Sequence, residues 1–248
     1  MLKQSQLDLC GRVDFTREVP LLGRDEGFSF ACAGCGDCCR GREDIVLSGF
    51  DLWRIAARLR LPPRTVARAF CKASIGAVSH LPVLRLAPVR EEGNNCPFLT
   101  HSRCAIHDAE PLVCALYPLA QEITKEGGVS YFLQPTSCGG QGISAKVGDY
   151  LARYDIPARE ATDVRWAQVC MALEDRVEAL EAVFEPVFIR RMRQKLWQAL
   201  YYRYDFAAPF LPQLEENLRG LDAELEKLSA LQGRRNVRFR ESIEKTDK

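Results

Sequence analysis

The sequence predicts an α+β protein, mainly helical, in which a small cysteine-rich metal-binding domain with a few short strands is followed by a C-terminal helical region. Three observations predict it. Four thiols fall within eight residues at Cys32-Ala-Gly-Cys35-Gly-Asp-Cys38-Cys39, short alternating apolar segments lie before Ser144, and long apolar patterns of helical period follow it.

Residues 1–27 mix charges with short apolar pieces around Pro20 and Gly23 and read as an irregular lead-in. After the cysteine cluster, Ile45-Val46-Leu47 reads as a short strand. Ser48 or Asp51 then caps a helix with Leu52, Ile55, Ala56 and Leu59 at helical spacing. Pro62 and Pro63 end that helix and open another, with Val66, Ala69 and Phe70 on its inner face and Cys71 at its end as a buried structural thiol. Val83 to Pro88 alternates as a strand does, and Val129 to Leu133 is its expected hairpin partner. Between them, Pro111 opens a short helix that stops near Pro118 and aims Cys114 inward. Three amphipathic helices follow, over Thr162–Leu180, Pro186–Tyr204 and Leu214–Leu231, with the lone Cys170 in the core. Residues 28–142 thus form the expected metal-binding domain, 143–232 the helical region and 233–248 a flexible tail.

Composition bounds the function. The 248 residues are 47% hydrophobic and 27% charged with a net charge of +1, as in an ordinary globular protein. No apolar run reaches the roughly eighteen to twenty residues needed to cross a bilayer. The start of the chain lacks the apolar core of a signal peptide, which points to a reducing cytoplasm, where clustered cysteines serve metals rather than disulfides; the odd total of eleven agrees. Arginines at 190, 191, 193, 234, 235, 238 and 240 suit phosphates, but acidic neighbours and near neutrality argue for solvated surfaces and against a nucleic-acid partner. The aromatic run Trp197, Tyr201, Tyr202, Tyr204, Phe206 and Phe210 reads as helix packing; an exposed side of it would mark a protein partner of the C-terminal helices.

A CxxC turn brings two sulfurs to one metal, and Gly34 and Gly36 permit backbone angles that carry amide N–H groups close to sulfur. Consecutive side chains diverge, so the adjacent Cys38 and Cys39 point to two metal centres, a polynuclear cluster, or one ligand and one spare thiol. A second set, Cys96, Cys104, Cys114 and Cys138, completes eight thiols, enough for two tetrahedral sites, for one cubane iron–sulfur cluster plus a structural zinc, or for a cluster with spare thiols for redox chemistry. Sulfur softness excludes calcium and magnesium but does not separate zinc from iron. Arg40 and Arg42 are placed either to offset thiolate charge or simply at the surface. His107, three residues after Cys104, reads as a surface or supporting histidine rather than a ligand, and His80 and His101 as solvent-facing. Asp37 and Asp108 read as turn and cap residues.

The run CxxCGxCC, then CPFL, CxIxxxxPxxCxxYP and a later cysteine, resembles the YkgJ-type cysteine-cluster family over residues 28–142. Its members are described as zinc- or iron-chelating or iron–sulfur-cluster proteins, and flagellin lysine-N-methylases share the signature. The resemblance implies that Cys32, Cys35, Cys38, Cys39, Cys96, Cys104, Cys114 and Cys138 hold an iron–sulfur cluster or zinc. The chain departs from the family at His107 and Glu110-Pro111, where a tyrosine and an arginine-proline pair are typical, and at Ala115, where an arginine is typical, so a charge near the cluster is expected to be missing. Three readings follow: a metal or redox-linked cluster protein whose helical half closes over the cluster or binds a partner, a structural zinc module, or a protein-modifying enzyme acting by redox or lysine methyl transfer. No radical-type CxxxCxxC, nucleotide-binding glycine loop or paired-carboxylate site supports the last.

Overall fold

The computed structural model describes residues 20–32, 34–134 and 140–246, so Cys10, Cys138 and most of the expected lead-in lie outside the described residues. The chain is α+β, with short antiparallel strands before the long C-terminal helices. In order, the elements are β1 Gly27–Ala31, β2 Val46–Leu47, α1 Gly49–Leu59, α2 Pro63–Phe70, β3 Cys71–Ile75, β4 Pro82–Leu86, β5 Leu99–Thr100 and β6 Arg103–Cys104. Then come α3 Leu112–Leu116, β7 Leu119–Ile123, β8 Val129–Leu133, β9 Gly140–Lys146, α4 Val147–Arg153, α5 Ile156–Glu181, α6 Pro186–Trp197 and α7 Phe210–Thr246.

Local chemistry sets the helix starts. Ser48 accepts the Asp51 N–H at 2.9 Å while the Asp51 carboxylate accepts the Ser48 N–H at 3.0 Å, a reciprocal capping box that opens α1. The Leu52, Ile55 and Ala56 stripe is fully buried. Proline at the first turn starts α2, whose inner face is Val66 and Ala67; Ala69, expected inside, is exposed, because the core lies one residue further round the helix.

The strands pair differently from the expectation. Val129–Leu133 pairs with Leu119–Ile123 in a hairpin of its own. The 82–86 strand is instead the centre of a three-stranded sheet in the order β2-β4-β3, with Cys71 opposite Leu86 and Ile75 opposite Pro82. The edge strand β3 follows α2 without a break, and its Lys-Ala-Ser centre carries no apolar alternation to announce it. β9 pairs with β1, so extended structure persists past Ser144.

One hydrophobic core joins the β2-β4-β3 sheet, α1 and α2 to α5, α6 and α7, from Ile45 to Leu228. A second, smaller cluster packs Phe28, Leu116, Leu119, Tyr131, Val147 and Leu151. α5 turns Trp166, Val169, Cys170, Leu173 and Val177 inward, with Val164 and Ala167 at the flanks. α6 ends in a π turn over Gln198–Tyr202, not in regular helix to Tyr204, and α7 continues to Thr246, well past Leu231. Between the helices Arg159 is buried against two carboxylates, Asp163 at 2.6 Å and Asp51 at 2.6 Å. No helix is long and apolar enough to cross a membrane among the described residues.

Candidate metal centre

The first cysteine loop is folded by glycine. Gly34 and Gly36 take φ of 65° and 74°, the left-handed region where a side chain is strained. At Gly36 space adds a second reason: a Cβ would lie 3.0 Å from the Ser102 carbonyl oxygen. The loop therefore lies directly on the β5–β6 hairpin. Arg40 fastens it there, donating to the Cys35 carbonyl at 2.7 Å, Asp37 at 2.9 Å and Ser102 Oγ at 2.9 Å. The Cys96 N–H donates to the Cys39 carbonyl at 2.8 Å, tying the first set of thiols to the second by main chain. Cys104 sits on β6, and α3, begun by Pro111, carries Cys114.

These elements enclose a cavity of about 580 Å³ walled by Cys32, Cys38, Cys39, Cys96, Cys104 and Cys114. Cys35 is half-buried beside it and not on its wall, and Cys138 lies outside the described residues. The Cys38 and Cys39 sulfurs converge to 4.0 Å, against the divergence expected of neighbours. The 3₁₀ turn over Asp37–Cys39 supplies the reason, because its tighter backbone turns both thiols to one side. That spacing is close to the edge of a tetrahedron with metal–sulfur bonds of about 2.3 Å, about 3.8 Å. The Gly34 N–H donates to Cys32 Sγ at 3.4 Å, the amide-to-sulfur contact that the glycines make possible. Among the described residues, no three cysteine, histidine or carboxylate side chains close on one point as the ligands of a single ion do.

The electrostatics of the wall favour a cation. The Cys38 thiol is pushed far up by its hydrogen bond to Cys39 and by burial. Burial pushes up Cys96 and Cys114, and Cys104 to about 11. Neighbouring thiolates add to each of these shifts, so the thiols hold their protons unless a positive charge replaces them. A soft metal ion or cluster is such a charge, and the donor set fits it.

Arg42 and Arg103 line the cavity, while Ala115 is buried in the second core, so a cation stands at the site by a route other than the family's arginine. Arg42 is also bidentate to Asp44, at 2.6 and 2.8 Å. His107 lines the mouth and is largely exposed, with Nδ1 3.1 Å from Glu110. Glu110 lines the cavity too, and in the sequence it stands out only as a departure from the family pattern. Its carboxyl is raised by burial, and its place just before the Pro111 helix start was the available signal. His80 does not simply face solvent but meets Glu181 at 2.5 Å. Cys71 and Cys170 stand apart from the cavity, packed on or in the main core.

A cavity walled by six soft donors on an α+β frame is the kind of site that thiophilic metals occupy. Residues 31–138 match the family model CxxCxxCC, described as a putative zinc- or iron-chelating domain, the cysteine-cluster family that the sequence resembles. No curated protein and no solved structure matches the chain.

Proposed function

We propose that this protein is a cytoplasmic metal-binding protein that carries a polynuclear centre, an iron–sulfur cluster or zinc, on Cys32, Cys35, Cys38, Cys39, Cys96, Cys104, Cys114 and Cys138. The observation that supports it best is the single cavity walled by six of these thiols. One tetrahedral ion uses four ligands, so six thiols exceed the needs of a single ion and favour a multinuclear centre. Its size, about 580 Å³, agrees. When bound, such a centre supplies either electron transfer, if iron–sulfur, or a structural cross-link, if zinc.

The chain's own residues do the rest. The glycine loop positions Cys32 to Cys39, the Cys96–Cys39 main-chain bond sets the two cysteine groups against each other, and Arg42 and Arg103 offset part of the thiolate charge. Pro111 and α3 hold Cys114, half-buried, on the cavity wall. The deciding experiment is metal and acid-labile sulfide analysis with a visible spectrum on protein purified without oxygen. Iron with matching sulfide and a broad thiolate-to-iron band supports a redox-linked cluster; about two zinc per chain and no colour supports a zinc module. Protein that holds neither iron nor zinc would overturn the proposal.

A further inference from the structure

β3 is one edge of the β2-β4-β3 sheet. Ala87 N–H donates to the Phe70 carbonyl and Gly76 N–H to the Leu81 carbonyl, each at 2.8 Å. Hydrogen-bonded pairs in an antiparallel ladder recur at every second residue. With the observed register, Lys72 and Ser74 therefore turn their main chain toward β4, whereas Ala73 and Ile75 turn their N–H and C=O groups away from it. Pro82, opposite Ile75, has no N–H to donate, as this parity requires. Among the described residues, no hydrogen bond reaches those outward groups.

A cavity of about 380 Å³ runs along this edge, lined by Arg64, Ala73, Ser74, Ile75, Trp197 and Tyr202 among others. The π turn explains its aromatic wall. Residues five apart on an α-helix point about 140° apart. The wider turn over Gln198–Tyr202 brings Trp197 and Tyr202 onto one side, stacked at 5.6 Å and 9°, and sends Tyr201 into the core. Arg64 lies 5.9 Å above the Tyr202 ring.

Charge defines the occupant. From Leu52 to Arg90 the chain contains Arg54, Arg58, Arg60, Arg64, Arg68, Lys72, Arg85 and Arg90 and no aspartate or glutamate. Arg58 is taken by Asp108, but among the described residues no carboxylate lies within ion-pair distance of Arg64, Arg68 or Lys72. Arg64 in the groove, with Arg68 one turn further along α2 and Lys72 on β3, repels a second copy of the same edge and complements an acidic strand.

We propose that the edge of β3 is a strand-addition site for an extended acidic segment of a partner protein. The partner's main chain pairs with Ala73 and Ile75, its carboxylates meet Arg64, Arg68 and Lys72, and one of its side chains enters the groove beside Trp197 and Tyr202. Alternating main-chain donors and acceptors distinguish this occupant from a nucleic acid, which uses the cations alone.

The test is fluorescence anisotropy of the full chain with three labelled probes: a short peptide alternating Glu and Val, its Lys-Val counterpart, and single-stranded oligothymidylate. Saturable binding of the acidic peptide alone is expected, about tenfold weaker or more for Arg64→Glu with Lys72→Glu. Ala73→Pro removes an outward N–H that β4 does not use, so it is expected to abolish binding with the melting curve unchanged. Two N-methylated forms of the Glu-Val peptide, one at its valines and one at its glutamates, test the same hydrogen bonds on the unaltered protein if the proline variant fails to fold, and one of them is expected to lose binding. No binding of the acidic peptide, undiminished binding of both N-methylated forms, or preference for the oligonucleotide would overturn the proposal.

Discussion

The two kinds of cysteine differ in what surrounds them. Cys104 shares a cavity wall with five other thiols, whereas Cys71 packs on the core and Cys170 within it. Cys104→Ser or Cys35→Ser is therefore expected to lower bound metal and melting temperature together, and Cys71→Ser or Cys170→Ser to leave metal content unchanged; equal metal loss in both groups would refute the assignment. Acidity supplies a second prediction. Burial raises Cys104 to about 11 and Cys71 to about 12 from the ordinary 9.0. These folded-state values lie above the unfolded one, so the folded chain keeps protons that the unfolded chain releases. That stability is full below pH 9.0 and is lost as pH rises through the window up to 11 for Cys104 and 12 for Cys71. The melting temperature of metal-free protein is expected to fall across that range, less steeply in Cys71→Ser. Metal uptake at neutral pH is expected to release protons, measurable in weakly buffered titrations, and acid to displace the metal. The identity of the cysteines was legible from their spacing, because thiol density in a motif has few other uses. The convergence of Cys38 and Cys39 was not, since the 3₁₀ turn that causes it depends on the hairpin beneath.

Two devices place the elements that carry the thiols. Gly36 is both left-handed and pressed against the Ser102 carbonyl, while Gly41, also left-handed at φ 61°, meets nothing within 4 Å. Gly36→Ala should cost more than the about 1–2 kcal/mol of left-handed strain alone and reduce metal content, with Gly41→Ala paying only the strain. Chemical denaturation with metal analysis separates the two. The second device is the buried cluster around Arg159. The Asp51 carboxylate accepts the Ser48 N–H at the start of α1, accepts the Leu112 N–H at the start of α3 at 3.0 Å and pairs with Arg159 of α5, so one carboxylate joins three helices. Arg159→Met leaves Asp51 and Asp163 buried without their cation, and a loss of about 3–5 kcal/mol is expected in denaturant melts. The cap was legible as Ser-x-x-Asp; the long-range role of Asp51 was not, because its partner lies 108 residues away.

Across the whole molecule, the thiol-bearing segment and the C-terminal helices share a core. Cys96, Cys104 and Cys114 pack against the cluster that includes Leu173, Met192, Leu196 and Leu225, and β1 pairs with β9. A fragment ending at residue 142 would expose that surface, so it is expected to be insoluble or unfolded even with metal, as circular dichroism and proteolysis would report. By itself the sequence determined the fold class, the starts of α1, α2 and α3, and the cysteine signature, because caps, prolines, helical period and motif spacing act over a few residues. Only the tertiary structure decided which strands pair, that six thiols share one cavity, that Glu110 and Arg103 line it, and that β3 leaves an open cationic edge. Those outcomes depend on contacts between residues far apart in the chain, where burial and register, not local preference, set the energy.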